Sequence, residues 1–148
     1  MPNDLHGWLR RIKAIEREHA STRLAIGRLL EEARRDPTIL TGELKLHDIV
    51  IASECLEGTY VIRLFAEFEA RLRLFWKTIR DTEPLTQDLL NGIAARRGIP
   101  QARIAGAHAV REYRNALVHV REQEFDPIPI AEARQHLCRF FAYLPPTW

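Results

Sequence analysis

The sequence predicts an all-α fold, a helical bundle of about five helices that opens with a long N-terminal one. Three observations lead there. Apolar residues recur at helical spacing in every long segment, the segments are bounded by helix starts such as Asp4 and by Gly or Pro stops, and no stretch reads as a strand. With 148 residues and 46% apolar composition the chain suits one domain, residues 1–148, whose core needs neither disulfide nor metal.

Asp4 is expected to cap a first helix running to about Arg35, where Asp36-Pro37 stops it. Its seam reads Trp8, Ile12, Ile15, His19, Thr22, Ile26, Leu29 and Ala33, the alternating four- and three-residue steps of coiled-coil packing, so this helix requires a straight partner. His19 is expected to be a hydrogen-bonded core histidine, because no His, Cys or acid stands at metal spacing beside it. The second helix runs from about Asp48 to Arg80 and buries Tyr60, Leu64, Phe65, Phe68, Leu72, Phe75, Trp76 and Ile79. Thr86 is expected to cap a short third helix, ended by Gly98 and Pro100. A fourth helix covers about Gln101 to Arg121. The run "FDPIPI" from Phe125 then breaks the chain, and a fifth helix, from about Ile130 to Tyr143, packs Ala133, Leu137, Phe140, Phe141 and Leu144.

On a helical wheel the fourth helix places Tyr113, Ala116, Leu117 and Val120 on a core stripe. Arg111, Asn115, His119 and Glu122 fall opposite, with His108 a turn earlier, and that face is expected to be wet. Arg114 sits on the flank. Val118 lies between Arg114 and His119 on the solvated side, which implies that something covers it. On the second helix Glu69 stands at the rim of the apolar face and requires a cationic partner, either Arg73 at i+4 or a residue of the Arg114 helix.

The net charge of +2 does not point to nucleic acid, yet residues 96–121 carry six arginines and one acid, a local excess of five positive charges. Cys55 and Cys138 lack C-x-x-C spacing and fit small packed thiols in a reducing, cytoplasmic setting. The charged N-terminus has no apolar signal region and no window approaches a membrane span, so no membrane partner is expected. G-x-S-x-G, H-E-x-x-H, P-loop and dinucleotide-binding patterns are all missing, and neither a cofactor nor a metal is predicted.

Two motifs remain. "IAARRGIPQARIAGA" places Ala94, Gly98, Ile99 and Ile104 where a helix-turn-helix wants a small residue, a turn glycine and apolar anchors, although Arg97 occupies a position that normally packs inside. In "RNALVH", Arg114 and His119 are separated by four residues, with the polar Asn115 after the arginine. This resembles the Arg-x-x-x-x-His signature of the HEPN superfamily. Its setting is similar too, on a late helix of an all-α chain that follows a long helix carrying "EFEAR", Glu67 to Arg71. The resemblance covers roughly residues 48–143, while the first helix, residues 1–35, matches only in being helical.

The resemblance implies a metal-independent endoribonuclease, of the kind found in defence and toxin–antitoxin systems, that leaves a 2′,3′-cyclic phosphate and a 5′-OH. Histidine then supplies the base for the ribose 2′-OH, and arginine the cation for charge developing on phosphate. His119 and Arg114 would take those roles, supported by Asn115 and Glu69, with Arg111, Arg121 and His108 as further candidates for contact with RNA. Five helical steps turn through about 500°, which sets Arg114 and His119 roughly 140° apart on one straight helix. An antiparallel second copy would unite them in one cleft and cover Val118, and HEPN proteins commonly work as such homodimers. Relatives controlled by a nucleotidyltransferase antitoxin often carry a tyrosine two residues after the histidine. Arg121 stands there in this chain, which argues against that control by a partner protein. Two other functions stay open: a HEPN-like module that binds RNA or protein without cutting, and a DNA-binding regulator using the 93–104 turn, for which arginines 96, 97 and 103 must project together.

Overall fold

The computed structural model describes residues 4–119 and 125–148. Among these, five α-helices account for the regular structure: α1 (Leu5–Arg35), α2 (Leu46–Lys77), α3 (Thr86–Arg97), α4 (Gln101–Val118) and α5 (Ile130–Phe141), with one 3-10 turn at Pro37–Ile39. The only β-type pairing among the described residues is an isolated bridge between Asp4 and Thr147, which ties the two ends of the chain together. No described helix is long and apolar enough to cross a membrane.

The start of α1 is fixed by the Asp4 carboxylate, which accepts from the Gly7 N–H and satisfies an otherwise orphaned donor. The straight partner that the α1 seam requires is α2. The two run antiparallel, with Arg11 paired to Glu67 at 2.5 Å, Glu18 paired to Arg63, and Thr22 bonded to Tyr60 at 3.0 Å. Trp8, Ile12 and Ile15 enter the core, and Trp8 stacks on Phe141 of α5 with ring centroids 4.0 Å apart. Farther along, the seam opens. Thr22 and Ile26 are half-buried and Leu29 is exposed, whereas Ala33, the last seam residue, is fully buried again. His19 is buried but makes no hydrogen bond among the described residues. It packs its ring against Tyr60 instead, so the expected polar partner is replaced by an aromatic one.

Val61, Leu64, Phe65, Phe68 and Leu72 of α2 form the centre of the core, against Leu89, Leu90 and Ile93 of α3, Val110 of α4, and Leu137 and Phe140 of α5. Gly98 ends α3 with φ +61°, a left-handed conformation in which a Cβ would be strained. The five residues expected to pack from the last helix region are all buried. The first N–H of α5, on Ile130, donates to the Glu57 carboxylate of α2 at 2.8 Å, which anchors α5 after the chain break.

Five boundaries differ from the sequence expectation. α2 begins earlier, at Leu46, where the Lys45 N–H donates to Asp48 at 2.9 Å, and it ends at Lys77 rather than Arg80. Thr86 is the first residue of α3 and not its side-chain cap, since its hydroxyl is engaged elsewhere. α4 stops at Val118 rather than Arg121. Valine and histidine are modest helix formers, and tertiary packing offers little compensation, since Leu117 touches α2 at Gly58 but stays 40% exposed while Val118 is 50% exposed. α5 ends at Phe141, two residues short of Tyr143, and the chain closes in turns. The cysteines are free, but only Cys138 is packed, where burial pushes its thiol up; Cys55 is exposed.

Candidate functional site

The site grows from the contact of α4 with α2. The buried stripe of α4 is Gly106, Ala107, Val110 and Tyr113, one turn nearer the N-terminus than the predicted stripe; Ala116 is half-buried, Leu117 is exposed, and Val120 lies outside the described residues. The end of α4 rests on Gly58 of α2, where a Cβ would stand 3.2 Å from the Leu117 side chain. That approach lays the Arg114 side chain along α2. Its guanidinium sits 4.9 Å from the Phe65 ring centroid and donates from Nη2 to Glu69 Oε2 at 3.1 Å.

Glu69 takes both of the partners open to it in the sequence. Its other oxygen, Oε1, accepts from Arg73 Nη2 at 2.6 Å and Nε at 3.1 Å, and from the Thr86 hydroxyl at 2.8 Å. Arg73 is held in turn by the Pro84 carbonyl at 3.0 Å. Burial works to raise the Glu69 pKa, but the Thr86 and Arg73 hydrogen bonds and the charges of Arg73 and Arg114 outweigh it, and the carboxyl stays below its ordinary range. Two arginines share one carboxylate, so the cluster keeps an excess of one positive charge. It can fix Arg114 in place and still attract an anion.

His119 is the first residue beyond α4. Its backbone is extended, with φ −110° and ψ 133°, its N–H bonds to the Asn115 carbonyl, and its side chain is exposed with no partner among the described residues. The 140° offset expected for a continuous helix therefore does not apply to it. No hydrogen bond joins His119 to Arg114 among the described residues. Val118 between them is half exposed among the described residues.

The face of α4 expected to be wet is partly covered by α3. Arg111 exposes only 15% of its side chain and Asn115 is half-buried. His108 Nε2 lies 2.8 Å from the Asn91 side-chain oxygen, and Arg111 Nε donates to His108 Nδ1 at 3.2 Å. Desolvation and the Arg111 charge lower the His108 pKa, against an opposing effect of Glu112. Arg121 and Glu122 lie outside the described residues. The structure thus joins Arg114 to Glu69 and Arg111 to His108 as two separate clusters.

Three participants escape a sequence reading: Phe65 under Arg114, Thr86 on Glu69, and Asn91 on His108. Thr86 carried a signal as a polar residue at a helix start, but one that pointed to a cap. Asn91 carried none.

At the α3–α4 turn, Ala94 and Ile99 are buried and Ile104 is half-buried. The neighbouring arginines diverge, for Arg96 lies over the Trp76 ring of α2 and Arg97 donates to the Tyr143 carbonyl at 2.8 Å. The described residues contain no group of three or more His, Cys, Asp or Glu able to hold a metal ion. Compared with models of protein families, with curated proteins and with solved structures, the chain matches none.

Proposed function

We propose that this chain is a metal-independent endoribonuclease of HEPN type, acting as a homodimer on cytoplasmic RNA within a toxin–antitoxin or defence system. The observation that carries the reading is the contrast between the two signature residues. Arg114 is clamped by Glu69 and Phe65 in a cluster that stays cationic, while His119 stands exposed at the helix end with no partner among the described residues. A fixed cation and an accessible imidazole are the two groups that transesterification of RNA requires: one stabilises charge developing on the phosphate, the other accepts the 2′-OH proton. Leu117 and Val118 beside them supply an apolar surface for a second copy, whose own α4 end would complete the cleft.

The test is cleavage of mixed RNA by the wild type and by Arg114→Ala and His119→Ala. Both variants should lose cutting by at least about a hundredfold while keeping their helical content, as general acid–base groups do. Retained cutting in both, or loss of fold in both, would remove the pair from catalysis. If the wild type binds RNA without cutting it, the chain is instead a HEPN-like binding module.

A further inference from the structure

The charges of α1 are sorted between its faces. Three of its four glutamates are held in ion pairs, Glu16 with Arg134 of α5, Glu18 with Arg63 of α2 and Glu31 with Arg35, while Arg11 is held by Glu67 of α2. The remaining cations, Arg10, Lys13, Arg17, Arg23, Arg28 and Arg34, are all exposed and form no ion pair among the described residues. The only acid of α1 left in that condition is Glu32. At 100° per residue Arg10, Lys13, Arg17 and Arg28 fall within about 60° of one another, opposite the buried seam of Trp8, Ile12, Ile15 and Ala33, and Arg23 and Arg34 flank them on one side. The basic ridge runs roughly 36 Å from Arg10 to Arg34. Between its cations Ala20, Leu24 and Gly27 form a shallow groove edged by Arg23 and Arg28, where a Cβ at Gly27 would meet nothing within 4 Å. His19 lines the same groove, buried and without a hydrogen bond among the described residues. The neighbouring surface has the opposite sign, since residues 36–57 hold five acids and one lysine. A chain with a net charge of only +2 thus concentrates its positive field along one outer helix face.

We infer that the outer face of α1 is an RNA-backbone tract, separate from the Arg114 cluster, which holds a single strand by its phosphates without reading bases. The inference rests on RNA being the ligand, as proposed above, and not on its being cut. Cations repeated along a rigid helix match a polyanion whose charges repeat along its length, and the small residues between them let that backbone come close. The acids of residues 36–57 repel the strand and confine it to α1. The two sites hold different stretches of the strand, because α1 and α4 pack on different faces of α2: Tyr60 and Glu67 meet α1, whereas Gly58 and Glu69 meet α4. Each phosphate neutralised on a single strand adds about 0.7 to the fall of log K with log salt, so the six cations together allow a slope near −4.

The experiment measures binding of a 2′-O-methyl RNA strand, long enough to span the tract and lacking the nucleophile needed for cutting, to the full chain across a range of salt. The triple variant Lys13→Gln, Arg17→Gln, Arg28→Gln removes three cations and keeps the helix, since glutamine is a good helix former. Its affinity at low salt should fall about tenfold or more, and its salt slope should become shallower by about two. The control Lys45→Gln, Arg80→Gln, Arg139→Gln removes the same charge from exposed positions off α1 and should keep most of the affinity and the slope. RNA binding that the α1 variant leaves intact, or equal losses in the two triple variants, overturns the tract while leaving RNA as the ligand. Absence of binding by the wild type overturns both. Vesicles of anionic phospholipid provide the last arm: capture of the wild type that the α1 variant loses, with its RNA binding unchanged, would assign the ridge to a lipid surface and overturn the inference.

Discussion

At the scale of single residues, Glu69 does the most to define the site, because one carboxylate ties α2, α3 and α4 together through Arg73, Thr86 and Arg114. Its side chain is only 18% exposed, so removing its charge leaves two arginines facing a neutral amide. Glu69→Gln should lower stability by about 1–3 kcal/mol and, by loosening Arg114, reduce cutting roughly tenfold. Denaturant unfolding and an RNA cleavage assay would check both; a silent substitution would show that the cluster neither supports the fold nor places Arg114. The pH dependence has a definite sign. Because the folded pKa lies below the ordinary value of 4.5, the unfolded chain takes up the proton first as pH falls. The stabilisation from Glu69 is therefore complete above the usual carboxylate range and is lost as pH falls through the folded value; in Glu69→Gln this part of the acid sensitivity should vanish.

At the scale of elements, α3 is the short helix that carries the site's unforeseen residues, since it presents Thr86 to Glu69 and Asn91 to His108. Its distance from α2 is set by Gly92, where a Cβ would stand 2.8 Å from the Trp76 ring. Trp76 is buried, hydrogen-bonded to Thr82 at 3.0 Å and overlain by Arg96, so it cannot easily yield. Gly92→Ala should cost about 1–3 kcal/mol through overpacking, read as a fall in melting temperature; an unchanged value would mean that α3 shifts freely. The helices themselves were legible in the sequence because apolar periodicity and stop residues such as Gly98 act locally. The end of α4 was not, because it depends on whether Leu117 and Val118 find something to pack against, which no local pattern contains. Thr86 was misread for a similar reason: a hydroxyl at a helix start can cap its own helix or serve a carboxylate on another, and only the packing of α3 on α2 decides.

At the scale of the whole molecule, α1 and α2, 31 and 32 residues long, form the antiparallel pair against which the shorter helices pack. The α1 seam called for a straight partner, but that the partner is α2 is a result of the packing. The second copy proposed at the end of α4 has no basis of either kind, since neither the wheel nor the single chain places one. Val118→Glu tests that copy directly: it sets a carboxylate in the proposed contact, where burial without a partner is costly. Sedimentation should show a wild-type dimer and a weakened one for the variant, and a wild-type monomer would remove the interface from this face. The claim at the centre of the account is the chemistry itself, cutting of RNA by Arg114 and His119 without metal, and its most direct measurement is the typing of fragment ends. Wild-type protein incubated with mixed RNA in excess EDTA should still cut, and the fragments should carry 2′,3′-cyclic phosphate and 5′-OH ends. Loss of cutting in EDTA, or fragments ending in 3′-OH, would contradict it.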